Sequence, residues 1–300
     1  MEKIHIGIHF GNIKNTLLLD NLLKSIFKYN TRNSIFITVY DSSQDKAVND
    51  WLKNIEKQKK YLSFRDNSFI ENYFISDFFY KKIVSENYEH FFVPYMNSFI
   101  KHMCNSKFEY DYYFFLPEDC QLIYDLLYLD DIINYLKNHL NNQAIISMLN
   151  LPNYRYKKQN NICNKVIKVT DEIYLHKCKF RKGDLFSLLS KELLKKIGTF
   201  NPPENKSDQA HFVAEQYKAK CNEFKIDRYF LNLSPFVLME NKRHNYYLKI
   251  IKQNININIR NPIFEKFLKK NIKKNKLSEE QVNLSSKWKY KYILNKLNLL

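Results

Sequence analysis

The first 45 residues alternate a strand, a helix and a second strand, and this order narrows the fold more than any other feature of the chain. The segments IHIGIHF, from Ile4, and SIFITVY, from Ser34, are short apolar runs that need cover on both faces. Between them, TLLLDNLLKSIFKY places apolar residues at helical spacing. Strand, helix and strand with short connections predict a right-handed βαβ unit.

Acidic residues directly follow two of the predicted strands. The second strand ends in Asp41, and the aromatic run 112–116 continues through Pro117 into Glu118 and Asp119. Carboxylates at the tip of a buried strand must stay hydrated or hold a cation. Because ligands of such sheets bind beyond the carboxyl ends of the strands, these acids predict a site at one edge. Ordinary turns explain them too, as an Asx turn at Asp41 or the acidic first turn of a helix.

A later segment continues the pattern. Gly198, Thr199, Phe200 and Asn201 form a predicted turn, and Asp208 then stands at the head of the helical segment AHFVAEQYKAK. An Asp at this position suits a plain N-cap and suits a catalytic carboxylate equally well. Both interpretations stay open on the residues alone.

Taken together, the Asp41 turn, the strand ending in Glu118 and Asp119, and the turn before Asp208 resemble the GT-A-fold, family 2-like nucleotide-sugar glycosyltransferases. The likeness covers about the first 235 residues by order and spacing. It implies an α/β, GT-A-like fold, with a Rossmann-like mixed, mainly parallel sheet flanked by helices. It also implies an inverting transfer from a nucleotide sugar, with UDP-sugars favoured, to a saccharide or lipid-linked acceptor in surface polysaccharide or lipooligosaccharide synthesis.

The resemblance implies a donor site at the strand tips and a Mn²⁺ or Mg²⁺ ion beside it. Asp119 matches the last acid of the family's metal-binding triplet, Glu118 matches the middle position, and Pro117 replaces the first acid. We therefore expect Asp119 and Glu118 to be the metal ligands. The expected donor-binding residues are His9, Phe10, Asn12, Asp41, Glu118 and Asp119.

On the acceptor side, the resemblance implies a general base that takes the proton of the attacking hydroxyl. Asp208 is the expected base and Glu204 is its rival, while Asn201 stands where the family has an Asp. Tyr154, Arg155 and Tyr156 lie in a polar, basic loop and are expected to contact the acceptor. A simple surface hairpin is the alternative for this loop.

Composition excludes some other classes of protein. The chain has four Gly residues, and neither a GxGxxG motif nor a P-loop can be drawn, which disfavours a Rossmann dehydrogenase or an ATPase. Its five Cys residues are irregularly spaced and are expected to be free thiols. The sequence has no apolar run of about 18 residues and no signal peptide, so we expect a cytoplasmic protein.

Positive charge is concentrated near the end of the chain. The formal net charge is +17, and residues 236–300 carry 15 Lys and Arg against 4 Glu. This predicts a catalytic domain over residues 1–234 and a basic helical extension over residues 235–300. The final segment KWKYKYILNKLNLL suits a helix at an anionic membrane surface, on the inner face of the cell membrane, or a helix docked on the domain.

Two other classes remain open. A nucleic-acid-binding protein would explain the positive charge and the 16% aromatic content. We expect no nucleic-acid partner, however, since runs such as YYFFL are more simply core. A catalytically inactive GT-A-like assembly subunit would explain Pro117 in place of the first acid.

Overall fold

The fold is built around a mixed β-sheet with helices on both faces, as seen in a computed structural model of the chain. The expected α/β class is therefore confirmed. The structure describes residues 2–11, 15–32, 34–71, 75, 77–82, 92–105, 110–118, 120–122, 126–147, 149–150, 163–171, 173–178, 187–201, 209–231 and 236–238.

The strands follow one another in the order β1 (Ile4–Phe10), β2 (Ile35–Asp41), β3 (Tyr61–Leu62), β4 (Phe69–Ile70), β5 (Asp77–Lys82), β6 (Tyr112–Pro117), β7 (Cys120–Leu122), β8 (Ala144–Ser147), β9 (Leu149–Asn150), β10 (Cys163–Lys168), β11 (Tyr174–Cys178), β12 (Ser187–Ser190), β13 (Asp227–Leu231) and β14 (Phe236–Leu238). The helices are α1 (Thr16–Tyr29), α2 (Lys46–Gln58), α3 (Phe92–Asn105), α4 (Leu129–Leu140), α5 (Lys191–Ile197) and α6 (Gln209–Glu223).

The largest sheet in the described part of the chain has the strand order β10-β11-β13-β8-β12-β6-β1-β2-β5. Strands β6, β1, β2 and β5 are parallel neighbours, and they contain the βαβ unit predicted from the first 45 residues. Strand β12 runs antiparallel to both β6 and β8, while β8 pairs in parallel with β13. The carboxyl ends of the four parallel strands consequently lie along one edge.

Strand β6 shows why its aromatic run needed cover on both faces. Phe114 packs in the core on the side of α1, α2 and α4, whereas Phe115 packs on the side of α3, α5 and α6. Their side chains are 0% and 2% exposed, respectively. These rings are core residues, so they offer no stacking surface to nucleic-acid bases.

The helices begin and pack as their sequences predict. The apolar stripe of α1, which includes Leu19, Leu22 and Ile26, is fully buried against the sheet. Helix α2 begins after Asp45, whose side chain accepts a hydrogen bond from the backbone N–H of Val48 at 2.8 Å. This cap fixes where the chain turns back from the tip of β2.

Strand β14 ends the described part of the chain. It pairs with β7 and β9 in a three-stranded sheet, and the side chain of Phe236 is fully buried beside Phe114. The boundary at 234/235 stays a prediction, as does the basic helical extension, because residues 239–300 lie outside the described residues. None of the helices in the described part of the chain combines the length and the apolar character that a membrane span requires.

Candidate active site

The tips of the four parallel strands lie side by side at one edge of the sheet. Phe10 is opposite Asp41 in the pairing of β1 with β2, and His9 is opposite Pro117 in the pairing of β1 with β6. Asp41 is in turn opposite Lys82, the last residue of β5. The structure thus brings together the residues from separate motifs, while their roles in binding stay predictions.

Asp41 is a fully buried carboxylate at this edge. Its Oδ1 accepts a hydrogen bond from the backbone N–H of Ser43 at 2.8 Å, which is the Asx turn that the sequence suggested. Its Oδ2 accepts from the hydroxyl of Tyr80 at 3.3 Å. Burial raises the pKa of Asp41, and the hydrogen bonds from Ser43 and Tyr80 oppose that shift. A carboxylate has about four acceptor positions, and these two bonds occupy two of them.

Tyr80 connects Asp41 to helix α2. Its hydroxyl also donates to Oδ1 of Asn49, which is a buried residue of α2. A phenol carries one proton, so Asp41 and Asn49 share a single donor. Burial and then the charge of Asp41 raise the pKa of Tyr80, which keeps the hydroxyl protonated near neutral pH.

His9 is held beside Asp41 by the next residue of the β2 tip. Its Nε2 lies 3.1 Å from Oγ of Ser42, which donates its own proton to the carbonyl of Phe10 at 3.2 Å. Burial lowers the pKa of His9 to about 4, so the ring is neutral at pH 7. Phe10 has a fully buried side chain and supports the site from within the core.

Glu118 is tied to the first turn of α1. Its Oε1 accepts a hydrogen bond from Nδ2 of Asn15 at 2.8 Å, across 103 positions of sequence. Asn15 is the N-cap residue of α1, yet its side chain makes no capping bond to the helix backbone. The side-chain amide of Asn15 therefore binds Glu118 instead of capping α1. The helix dipole also favours a carboxylate near the start of a helix.

The expected metal site at the β6 tip is described only in part. Among the described residues, no group of three or more His, Cys, Asp or Glu side chains could hold a metal ion. Glu118 supplies one carboxylate, and Asp119 lies outside the described residues. Mg²⁺ and Mn²⁺ prefer oxygen ligands, and Mg²⁺ is commonly held by one or two carboxylates together with substrate phosphates and water. The residue types at the β6 tip fit such an ion.

Seven of the expected site residues lie outside the described residues. They are Asn12, Asp119, Tyr154, Arg155, Tyr156, Glu204 and Asp208. Glu204 and Asp208 belong to residues 202–208, and the structure describes the residues on both sides of this stretch. The turn Gly198–Asn201 follows α5, with Gly198 at a φ of 62°, and α6 begins at Gln209.

Four residues at this edge were missed by sequence reasoning: Asn15, Ser42, Asn49 and Tyr80. Asn15 carried a signal, since an Asn before an apolar helical pattern marks a helix start, but that signal predicts a cap rather than a contact with Glu118. Ser42 belongs to the predicted turn after β2. Tyr80 and Asn49 gave no local signal, because their contacts arise only when β5 and α2 meet the tip of β2.

The fold of this chain is similar to that of several solved structures. No model of a protein family matches the chain, and no characterised protein matches it significantly. Similar structures include S. aureus TarS 1–349, at a TM-score of 0.46 and 12% identity over 83% of this chain and 64% of that chain. Its complex with UDP gives a TM-score of 0.48 at 12% identity, over 85% and 65%, and its complex with UDP-GlcNAc gives 0.47 at 12% identity, over 80% and 59%. The chain thus spans 59–65% of the length of these structures.

Proposed function

We propose that this chain is a nucleotide-sugar glycosyltransferase that binds its donor at the carboxyl edge of β1, β2 and β6. One observation carries the proposal. A buried acid at the β2 tip and a second acid at the β6 tip flank β1, and both side chains are oriented by neighbouring polar groups. The order of motifs along the chain points to the same chemistry.

On the donor side, Asp41 accepts hydrogen bonds from a uracil-like base or a ribose hydroxyl. His9, Phe10 and Asn12 are assigned to the neighbouring part of the donor site. Glu118 and Asp119 would hold Mn²⁺ or Mg²⁺ beside the diphosphate. When bound, this ion neutralises the charge that develops on the departing nucleoside diphosphate.

On the acceptor side, a carboxylate takes the proton of the attacking hydroxyl on the opposite face of the sugar, which gives inversion. Asp208 is the proposed base, with Glu204 as its rival. Tyr154, Arg155 and Tyr156 contact a glycan or glycolipid acceptor, in the synthesis of a surface polysaccharide or lipooligosaccharide.

Donor binding is tested with a panel of nucleotide sugars in a thermal-shift assay, with and without manganese. UDP-GlcNAc belongs in the panel together with other UDP-, GDP- and CMP-sugars. A true donor raises the melting temperature by linkage, and Asp119→Ala should remove any manganese-dependent part of the shift. If no nucleotide sugar shifts the wild type, the proposal is wrong. If Asp119→Ala responds like wild type, the β6 tip does not hold the metal.

The base is tested by Asp208→Asn, because Asn caps a helix about as well as Asp but cannot accept the proton. Turnover should fall by a factor on the order of 10² to 10⁴ with the fold intact. Normal turnover in Asp208→Asn together with a large loss in Glu204→Gln would move the role to Glu204. Normal turnover in both would place the base elsewhere.

Pro117 favours one competing function, an inactive assembly subunit of the same fold. It occupies the last position of β6, opposite His9, where the resembled family has an acid. Release of UDP from a nucleotide sugar in the absence of acceptor would exclude this alternative. Binding of a nucleotide sugar without any turnover would support it.

The basic segment is a separate proposal, since residues 239–300 lie outside the described residues. We propose that it associates with the anionic inner face of the cell membrane. Truncation after about residue 280 should weaken binding to vesicles of anionic phospholipid and leave donor binding unchanged. Equal vesicle binding by both forms would contradict it.

A further inference from the structure

The tip of β2 is joined to α2 and β5 by a closed ring of hydrogen bonds. The backbone N–H of Ser43 donates to Oδ1 of Asp41 at 2.8 Å, and the backbone N–H of Asp45 donates to Oγ of Ser43 at 3.3 Å. Nδ2 of Asn49 donates to the carbonyl of Asp45. The hydroxyl of Tyr80 bonds Oδ1 of Asn49 and lies 3.3 Å from Oδ2 of Asp41, which closes the ring.

The orientation of the Asn49 amide determines where the proton of Tyr80 goes. Because Nδ2 donates to the carbonyl of Asp45, the other end of the amide, Oδ1, faces Tyr80. An inverted amide would place two acceptor oxygens in contact at Asp45. Oδ1 can only accept, so Tyr80 donates its single proton to Asn49. Oδ2 of Asp41 competes for the same proton at 3.3 Å.

The ring is consequently short of one donor. Oδ2 of Asp41 and Oδ1 of Asn49 face one hydroxyl proton, and among the described residues Tyr80 is the donor common to both oxygens. Asp41 and Asn49 are buried, whereas Tyr80 is half-buried. A buried oxygen that lacks a full hydrogen bond is unfavourable. A ligand that brings its own N–H or O–H to Oδ2 removes this deficit.

We propose that Asn49 is a positioning residue for the donor nucleotide, because by holding the proton of Tyr80 it leaves Oδ2 of Asp41 to accept from an N–H or O–H of the ligand. This inference rests on the proposed function. In the bound state the ligand donates to Asp41 and Tyr80 donates fully to Asn49, so each oxygen has one donor. The ligand group is the imide N–H of a base or a hydroxyl of the ribose. Asn49 itself does not touch the ligand.

Substitutions in the ring should change the pKa of Asp41 in opposite directions. Asn49→Leu keeps the branched shape of the side chain and removes the amide, so Tyr80 should donate fully to Asp41 and lower its pKa. Tyr80→Phe removes the proton altogether and should raise the pKa, since the bond from Tyr80 lowers it in the wild type. Lys82, opposite Asp41, also lowers this pKa and is unchanged in both variants.

The test is a double-mutant cycle of Asn49→Leu and Tyr80→Phe. Asn54→Leu is the matched control, because Asn54 is a half-buried residue of the same helix and is not part of the ring. Asn49→Ala replaces Asn49→Leu if the larger side chain lowers stability. Calorimetry measures the affinity for UDP and for CDP. NMR of the carboxyl carbon measures the pKa of Asp41, with Asp41→Asn as the reference for assignment.

UDP affinity should fall about 3- to 10-fold in Asn49→Leu, because the proton of Tyr80 then occupies the position that the ligand needs. It should also fall in Tyr80→Phe, where Asp41 loses an orienting partner. The double variant should bind like Tyr80→Phe alone, since Asn49 acts only through the proton of Tyr80. Asn54→Leu should match wild type.

The two nucleotides distinguish the two ligand groups. Cytosine has no proton on the ring nitrogen that carries the imide proton of uracil. A loss in Asn49→Leu for UDP but not for CDP therefore identifies the base as the donor to Asp41, and an equal loss for both identifies a ribose hydroxyl.

Equal weakening of UDP binding by Asn49→Leu with and without the hydroxyl of Tyr80 would show a purely structural role and overturn the inference. Unchanged UDP affinity in Asn49→Leu, or a pKa of Asp41 that does not fall there, would overturn it too. A wild type that binds no nucleoside diphosphate refutes the proposed function instead. The pKa measurements need no ligand, so they then report the sharing of the proton alone.

Discussion

Replacing Asp41 by Asn should separate the stability of the β2 tip from its proposed role in binding. In the wild type the carboxylate is fully buried and its pKa is raised by burial, so the charged form is disfavoured by its surroundings. In Asp41→Asn, Oδ1 can still accept from the N–H of Ser43 and Nδ2 can donate to the hydroxyl oxygen of Tyr80. Tyr80 retains Asn49 as its acceptor.

The substitution therefore removes a buried charge and leaves few groups without a partner. We expect Asp41→Asn to be as stable as wild type, or more stable by about 1–2 kcal/mol, at pH 7. Asp41→Ala is the contrasting variant, because it leaves the N–H of Ser43 without its acceptor and opens a cavity. It should unfold more easily by about 1–3 kcal/mol.

The raised pKa of Asp41 determines how the free energy of unfolding should change with pH. Because the pKa of Asp41 is higher in the folded protein than its ordinary value of 3.8, the folded state keeps a proton that the unfolded chain releases. Wild-type stability from this group is thus present below about pH 4 and is lost as pH rises through the folded-state pKa. The stability of Asp41→Asn relative to wild type should therefore increase as pH rises over that range, and the two proteins should differ less at lower pH.

Urea unfolding between pH 3 and pH 8 measures the stability, and thermal shift with the active nucleotide sugar measures binding. A hydrogen bond to a charged group contributes about 1.5–3 kcal/mol, so donor affinity should fall at least about tenfold in Asp41→Asn. An Asn variant that is less stable than wild type by more than 2 kcal/mol would refute the burial argument. Unchanged donor affinity would remove Asp41 from the site.

Three further predictions concern the scaffold. Burial lowers the pKa of His5 to about 3, so the unfolded chain binds a proton below pH 6.5 that the folded protein does not. As pH decreases below 6.5, wild type should lose up to about 1.4 kcal/mol of stability per pH unit more than His5→Asn. Equal slopes of stability against pH in urea unfolding would contradict this prediction. The buried carboxylate of Asp20 accepts hydrogen bonds from Ser63 and from three other donors of the β3–β4 hairpin. Asp20→Ala should therefore lower the free energy of unfolding by on the order of 3 kcal/mol at an unchanged urea m-value, and Asp20→Asn should lower it less. A Cβ on Gly7 would lie 2.7 Å from Cδ2 of Phe99, so Gly7→Ala should cost about 1–3 kcal/mol and should be partly rescued by Phe99→Leu.

The elements that the sequence predicted well are those governed by local patterns. The helical segment TLLLDNLLKSIFKY coincides with α1. It has an apolar stripe of helical period and polar residues on the other face, so local preference and burial agree. The apolar run AIISMLNL, which begins at Ala144, predicts one buried strand but contains both β8 and β9, because these two strands join different sheets.

Contacts between distant parts of the chain could not be predicted. The bond of Asn15 to Glu118 and the bonds of Asn97 to Phe200 each span 103 positions. Asn and Glu carry no periodic signal, since their partners depend on which strands and helices become neighbours. The sequence could therefore place acids at the strand tips but could not identify the groups that orient them.

Those orienting groups explain how this edge could act on a ligand. Ser42 holds His9, Tyr80 shares its proton with Asp41, and Asn15 holds Glu118. Each interaction fixes a side chain before any ligand arrives, which reduces the conformational entropy lost on binding. The three orienting residues come from the β2 tip, from β5 and from the start of α1. Ser42 directly follows Asp41, which accepts from Tyr80, so substitutions at Ser42 and Tyr80 should be coupled in their effect on donor binding. Asn15 contacts Glu118 beyond β6, and its substitution should add nearly independently to either of them.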